Sequence, residues 1–540
     1  MADPTPTARA HGRSLSDFGK LSVAEKELLA CVRSGDICFL DNERPEAATK
    51  ANTIRAGLVR FLALGGDDKN PVHERGVKLW GAWISGTIEM VGANAEARLS
   101  LTNCHCDSDI SAIDCSLFSL DLSGSFISCV DLQRAVVARS VFLSGGFETT
   151  GGVALVGAQI GGDLSCSGGS FSNIDAEGNS NGTTIWADRM TVAGSVFLSD
   201  GFTADGQTRF MNAHIGRNLH MDESSFTDEF DVGWRFAADG LEVEGKLFLR
   251  GSAFANGIDL ATARVGTLVD SEDCWSKSNN ILDGFRYDRI VGPTEASSRI
   301  AWLKSQDEGH LNEDFKPQPW EQLIKVPREM GHGRDADEVA IAKQHALRAA
   351  KRIGTRAART DFRYGWRRWL DAQWNDLSND IAGGAHDAYG WLAGYGYRPS
   401  RIILWMLGLW LASAFAFSTA AENGLMAPSN PVLHAHEAGG NVNVNGCGVN
   451  GDVGQSHYWL RCPGMPAEYT TFSPLGYAAD MILPLVNLQQ DVDWGPVISN
   501  AKGPLYWGTA TRWLGWFDIL FGWFASLMFV AIVGRLVERD

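Results

Sequence analysis

The sequence predicts a multi-domain protein. A parallel β-helix of irregular coils comes first, with a helical N-terminal cap before it and a basic helical region after it. Two transmembrane α-helices close the chain. Three observations predict this: a fivefold apolar rhythm in the first half, a change to helical spacing near Ala296, and two long apolar stretches near the end.

The fivefold rhythm is clearest at Leu117, Leu122, Ile127, Leu132, Val137 and Phe142. Helices repeat near 3.6 residues and strands at 2, so neither has this period. A square coil does, with one inward side chain per side and a turn after each; stacked coils bury the column and pair their backbones. A longer repeat lies over it. "SVFLSGGF" (Ser140 to Phe147) returns as "SVFLSDGF" (Ser195 to Phe202), and "GAQIGGDL" from Gly157 returns as "NAHIGRNL" from Asn212, both fifty-five positions on. Self-similarity at fixed spacing signals a stacked architecture.

"SLDLS", "GSFIS" and "CVDLQ" resemble the A-(D/N)-L-x-x unit of the pentapeptide-repeat family, best from about Asp114 to Leu143. The resemblance implies a right-handed quadrilateral β-helix, pentapeptide-repeat-like but irregular where Gly-rich stretches intervene. Acidic residues such as Asp121 and Asp131 before the inward leucine are normal for that family, some of whose members mimic DNA. Chains resembling this one along most of their length are sometimes labelled membrane-associated oxidoreductases.

The expected organisation is a cap over 1–70, the β-helix over 71–280, a basic helical region over 281–384, a juxtamembrane segment and first span over 385–420, an exported loop over 421–512, and a second span with its tail over 513–540. In the cap, "LSVAEKELLACVRSG" reads as a helix with Ser22 as N-cap, Glu25 completing a capping box and Gly35 as the stop. "TKANTIRAGLVRFLALGG" reads as a second helix. The stretch from Phe315 to Arg352 reads as a helix, a Gly turn and a long helix. His332, in that turn, is either a structural histidine or a ligand or base.

Net charge is −17, against a duplex nucleic-acid partner. The exception is a basic run holding Lys351, Arg352, Arg356, Arg359, Arg363, Arg367 and Arg368. It precedes an apolar segment, where Lys/Arg excess marks the cytoplasmic membrane surface. Arg401 to Ala420 carries no charge after Arg401, and Trp513 to Gly534 is the second candidate span. Between them, up to residue 511, only Arg461 and Lys502 are cationic against seven acids. The positive-inside rule then places both termini in the cytosol of a bacterium and the loop outside its inner membrane. The first ten residues lack a signal-peptide core, which agrees.

Eight of the ten cysteines precede residue 280 and are expected as reduced core residues. Cys447 and Cys462, in the loop, are expected to form a disulfide outside the cell. The loop's apolar stretch from Ser473 to Trp494 is expected along the outer interface, with a re-entrant path as the alternative. Asp518, inside the second span, is either a functional intramembrane charge or one that reaches the headgroups.

Catalytic chemistry is sparse. "GCGVNG" (Gly446 to Gly451) spells G-x-G-x-x-G without the strand and helix a dinucleotide site needs. Cys104, His105 and Cys106, with Cys115 and Cys129 further on, lack paired C-x-x-C knuckles, and the alternation in C-x-C also fits two core residues of a strand. His434 to Glu437 is a surface metal candidate of the same weight. No catalytic motif, cofactor site or metal site is assigned. The expected function is a membrane-anchored scaffold or sensor presenting a cytosolic β-helix to a protein partner, with homo-oligomers allowed. The alternatives are an oligomeric ion channel or membrane-perturbing effector gated by the cytosolic domain, motivated by Asp518 and the apolar stretch at 474–488, and a membrane-associated oxidoreductase.

Overall fold

The structure is a computed structural model describing residues 14–95, 97–173, 182–227, 235–275, 279–352, 365–429, 469–497 and 507–537, with backbone alone for 365–376 and 535–537. It divides into two compact units, Met1–Arg352 and Ile353–Asp540.

The first unit is a β-helix-like solenoid of stacked parallel strands. One coil runs through Asn94–Ala95, Leu99–Thr102, His105–Cys106 and Ile110–Ser111. Each strand pairs in parallel with its counterpart one coil on: Asn94 with Ser116, Leu99 with Leu120, His105 with Phe126, Ile110 with Val130. The coil therefore has four sides, and pairing continues to Arg286–Val291. Two of the four corners turn through the left-handed region in coil after coil, and a third does so in some coils, at Gly86, Gly152 and Gly206. One such column includes Asp114, Arg134, Arg189, Asn212 and Thr262, and the other Asn103, Gly124, Asp200 and Glu223. A Cβ on Gly124 would stand 1.8 Å from Oδ1 of Asn103 one coil below, so glycine at this position leaves room for that side chain and adopts the left-handed turn without strain.

The interior corrects the expected rhythm in two ways. Each side buries two residues rather than one: Leu120 with Leu122, Ser125 with Ile127, Val130 with Leu132. Ser125 is wholly buried because its hydroxyl donates to Leu101 O (2.8 Å) and accepts from Cys104 N–H (2.7 Å). And Phe142, expected inward, is exposed, while Val141 and Leu143 point in. From Leu117 to the next inward strand residue, Leu120, is three positions; from Val137 to Val141 it is four. One extra corner residue turns every following side chain over.

The fifty-five-residue duplication spans two coils, since Val141 pairs with Leu164 and Leu164 with Val196. Side-chain volume explains why two coils make the unit. Phe147 and Phe202 fill one interior column, with small Thr149 and Ala204 two residues on. The coils after each reverse the order, Gly169 with Phe171 and Ser224 with Phe226. The four rings zigzag up the core with centroids 5.4, 5.2 and 5.5 Å apart. Alternating large and small side chains in this way fills the core without voids.

Helix α1 (Val23–Ser34) forms with Ser22 and Glu25 in a reciprocal capping box and Gly35 left-handed at its end. Helix α2 (Ala56–Ala63) is shorter than the sequence suggests. Within the stretch expected to be helical from Thr49, Thr53–Arg55 is instead a strand pairing with Trp83–Ser85, with Ile54 turned into the core. At the far end, α3 (Ala296–Lys304), α4 (Gln318–Glu329) and α5 (Gly333–Ala349) follow the last strand. Two α4 side chains serve that end of the stack: Gln318 Nε2 donates to Phe285 O (3.1 Å) and Gln322 Nε2 to Tyr287 O (2.6 Å). Carbonyls with no further coil to pair with are satisfied in this way.

The second unit contains α6 (Gly365–Ala393), α7 (Ser400–Glu422), α8 (Pro474–Ile482) and α9 (Trp507–Val537). Helices α7 and α9 are long and apolar enough to cross a membrane. The stretch expected along an interface supplies α8, which packs against the middle of both: Trp410 Nε1 donates to Leu475 O (2.9 Å), and Ile482 lies on Gly522. Phe417, Tyr477, Phe472 and Trp494 form the cluster that joins α8 to the remainder of this unit.

Candidate functional site

The site best furnished for binding lies where the last coils meet α3. Asp270 follows the strand Arg264–Val269, and Arg299 sits on the buried stripe of α3 with Ala296, Trp302 and Leu303. Asp270 and Arg299 are 1% and 3% exposed, so the pair is out of water. Two guanidinium nitrogens reach both carboxylate oxygens (2.6 and 2.8 Å), Trp275 Nε1 donates to Oδ2 (2.8 Å), and Arg299 Nε donates to Pro293 O (2.6 Å). Burial works against the Arg299 charge, but the hydrogen bonds and charge of Asp270 outweigh it and hold the pKa above the ordinary arginine value. A Cβ on Gly292 would stand 2.5 Å from Asp270 Oδ1, so glycine there leaves room for the carboxylate.

Around this ion pair the aromatic rings form a wall. Trp275 and Trp302 are 5.0 Å apart, Tyr287 and Trp302 are 6.2 Å apart, and the Arg299 guanidinium lies 5.3 Å from the Trp302 ring centre. They border a cleft of about 360 Å³, lined also by Ser271, Glu272 and Ser298. The Ser298 hydroxyl bonds the Glu272 carboxylate at its edge. One buried polar group of the lining, Trp302 Nε1, has no partner among the described residues, whereas the Ser271 hydroxyl lies beside the Asp273 carboxylate and holds its pKa down. The Tyr287 hydroxyl, wholly buried behind, is also unpartnered, and burial pushes its pKa up. Buried donors without acceptors are rare because each carries a desolvation penalty. Apolar walls with an unspent donor describe a small-molecule or side-chain binding cleft.

The residues singled out from sequence lie elsewhere. Cys104 and Cys106 are buried core thiols, whereas His105 is on the outer side, stacked between Trp83 (3.9 Å) and Phe126 (4.8 Å). Strand alternation thus separates the histidine from the two sulfurs. Burial pushes Cys104 up to about 12. Among the described residues no cluster of three His, Cys, Asp or Glu could hold a metal ion. His332 is the residue before α5, its N–H on Pro327 O (2.8 Å). Of the basic run, Lys351 and Arg352 follow α5, with Arg352 bonded to Glu313 O. Arg367 and Arg368 are in α6, described by backbone only. Arg356, Arg359, Arg363, Cys447, Cys462, Gly446–Gly451 and His434–Glu437 lie outside the described residues. Asp518 is in α9, wholly buried, and accepts from Ser413 Oγ of α7 (3.0 Å).

Sequence reasoning missed the cleft. Its one local signal is an arginine on the apolar stripe of α3, a placement that requires a buried acid to answer it; nothing local says that the acid is Asp270. Compared with protein-family models, with curated proteins and with solved structures, the chain matches none.

Proposed function

We propose that this protein is a membrane-anchored sensor or scaffold whose solenoid unit binds a partner group in the Trp275–Trp302 cleft. The observation that carries the reading is the unspent donor Trp302 Nε1 beside a ligand-sized space with aromatic walls. Anchoring is supported by the outward faces of α7 and α9. Leu404, Phe415, Leu520 and Val530 are each more than 60% exposed, an arrangement costly in water and favourable in hydrocarbon. In the finer form of the proposal, the solenoid is right-handed and pentapeptide-repeat-like, capped by α1 and α2, and cytosolic. The membrane is a bacterial inner membrane, with residues 421–512 outside and Cys447 bridged to Cys462. Lys351, Arg352 and the arginines after them then face the headgroups.

The test is native mass spectrometry of the full chain extracted from its own membranes. A retained small molecule or peptide that disappears in Trp302→Ala, and persists when exposed Trp186 is changed to Ala, supports the reading. A wild-type protein that carries nothing, and gains no thermal stability from any fraction of a membrane extract, overturns it. Thiol labelling of Cys447 and Cys462 in intact and opened cells tests the orientation.

A further inference from the structure

The second unit holds a buried charge that the proposed binding function does not use. Asp518 is on α9, facing Ser413 of α7. Its carboxylate is wholly buried, Oδ1 takes the Ser413 hydroxyl hydrogen, and Oδ2 has no partner among the described residues. One turn further along α9, Gly522 meets the end of α8 so closely that a Cβ there would stand 1.9 Å from the Ile482 carbonyl oxygen. That carbonyl belongs to the last turn of α8, the partially negative end of a helix. The neighbourhood of Asp518 is thus a carboxylate, a hydroxyl oxygen and a helix C-terminus, all of which attract positive charge.

Among the described residues no Lys, Arg or His forms an ion pair with Asp518. The charged groups closest to this junction, Arg512 on α9 and Asp480 on α8, together with Asp491, act on the phenol of Tyr477. Helix α7 contributes the neutral Ser413. An ionised carboxylate buried with one hydrogen bond and no counter-charge is strongly unfavourable, more so in a lipid-embedded helix pair. A bound cation removes that penalty.

We propose that Asp518 and Ser413 form an intramembrane site for a small monovalent cation, H⁺ or Na⁺, at the junction of α7, α8 and α9. With the cation in place the junction carries no net charge, and its three helices pack. With the cation gone, a bare carboxylate is left one helical turn from the contact between Gly522 and the Ile482 carbonyl, and the packing of α8 on α9 weakens. The site is therefore expected to be loaded when the unit is most stable.

The test uses the full chain in lipid nanodiscs. If H⁺ is the ligand, infrared difference spectra across a pH titration contain the carbonyl band of a neutral carboxyl group. That band is absent in Asp518→Asn, and thermal stability does not respond to Na⁺. If Na⁺ is the ligand, the unfolding temperature rises with NaCl against choline chloride at fixed ionic strength, and Asp518→Asn abolishes the rise. Ser413→Ala, which keeps the carboxyl, shifts the midpoint of whichever dependence is seen by about tenfold, the worth of one hydrogen bond to a charged group. Wild-type protein with neither the band nor the Na⁺ response, or with responses unchanged in Asp518→Asn, overturns the proposal.

Discussion

Phe171 occupies the space that Gly169 leaves. A Cβ on Gly169 would stand 2.7 Å from Cε2 of Phe171, and the ring sits between Phe147 and Phe202 of the adjoining coils. The column keeps its volume because large and small residues exchange places from one coil to the next.

Phe171→Ala is expected to cost about 3–5 kcal/mol, as for other buried phenylalanines. Gly169→Ala alone is expected to cost about 1–3 kcal/mol through overpacking. Gly169→Phe combined with Phe171→Ala puts the ring where Phe147 and Phe202 carry theirs, and should regain part of the loss, since the Leu143 carbonyl oxygen, 2.9 Å from the new Cβ, still has to give way. Denaturant unfolding of the four proteins checks this; a double variant no more stable than Phe171→Ala would refute the exchange of places.

Arg299→Met leaves Asp270 buried with the Trp275 N–H as its remaining side-chain partner. A cost of about 3–5 kcal/mol is expected. Adding Asp270→Leu removes the orphaned charge and should recover most of it, because an apolar pair replaces an ion pair at little net cost. Tryptophan fluorescence during denaturation reports the site directly, since Trp275 and Trp302 flank it.

Glu25 joins α1 to the strand Thr53–Arg55 through Arg55, whose Nε is 2.6 Å from Oε1. Burial works to raise the Glu25 pKa, but the Arg55 hydrogen bond, the Ser22 amide and the Arg55 charge outweigh it and hold it below the ordinary 4.5. A depressed folded-state pKa stabilises above the unfolded value and is lost as pH falls through the folded one. Relative to Glu25→Gln, wild type should be more stable by about 1–2 kcal/mol at neutral pH, the Arg55 side chain being partly in water. The difference should begin to shrink as pH drops below about 4.5 and vanish under stronger acid. Hydrogen exchange of Val23–Ser34 across that range measures it.

Gly522→Ala forces the Ile482 backbone away from α9. The cost expected is about 1–3 kcal/mol, with faster hydrogen exchange over Pro474–Ile482 and none over the solenoid strands. Gly534→Ala, whose Cβ would meet nothing within 4 Å, is the control and should leave both unchanged.

Sequence alone carried the solenoid, because a coil repeats its demands on every turn. Leu117, Leu122, Ile127 and Leu132 record the four successive sides of one coil, Val137 opens the next above Leu117, and parallel pairing between them needs no distant information. The same local rule made α1 legible from Ser22, Glu25 and Gly35, and α7 and α9 from their apolar length. What it could not convey was where an extra corner residue turns the pattern over, as between Val137 and Val141, because one inserted position leaves the composition unchanged. Nor could it pair Asp270 with Arg299, Ser413 with Asp518, or Ile482 with Gly522. Those partners are separated by 29 residues, by 105 and by 40. Each meets the other only because helices close against a finished stack or against one another, and tertiary packing alone decided those contacts.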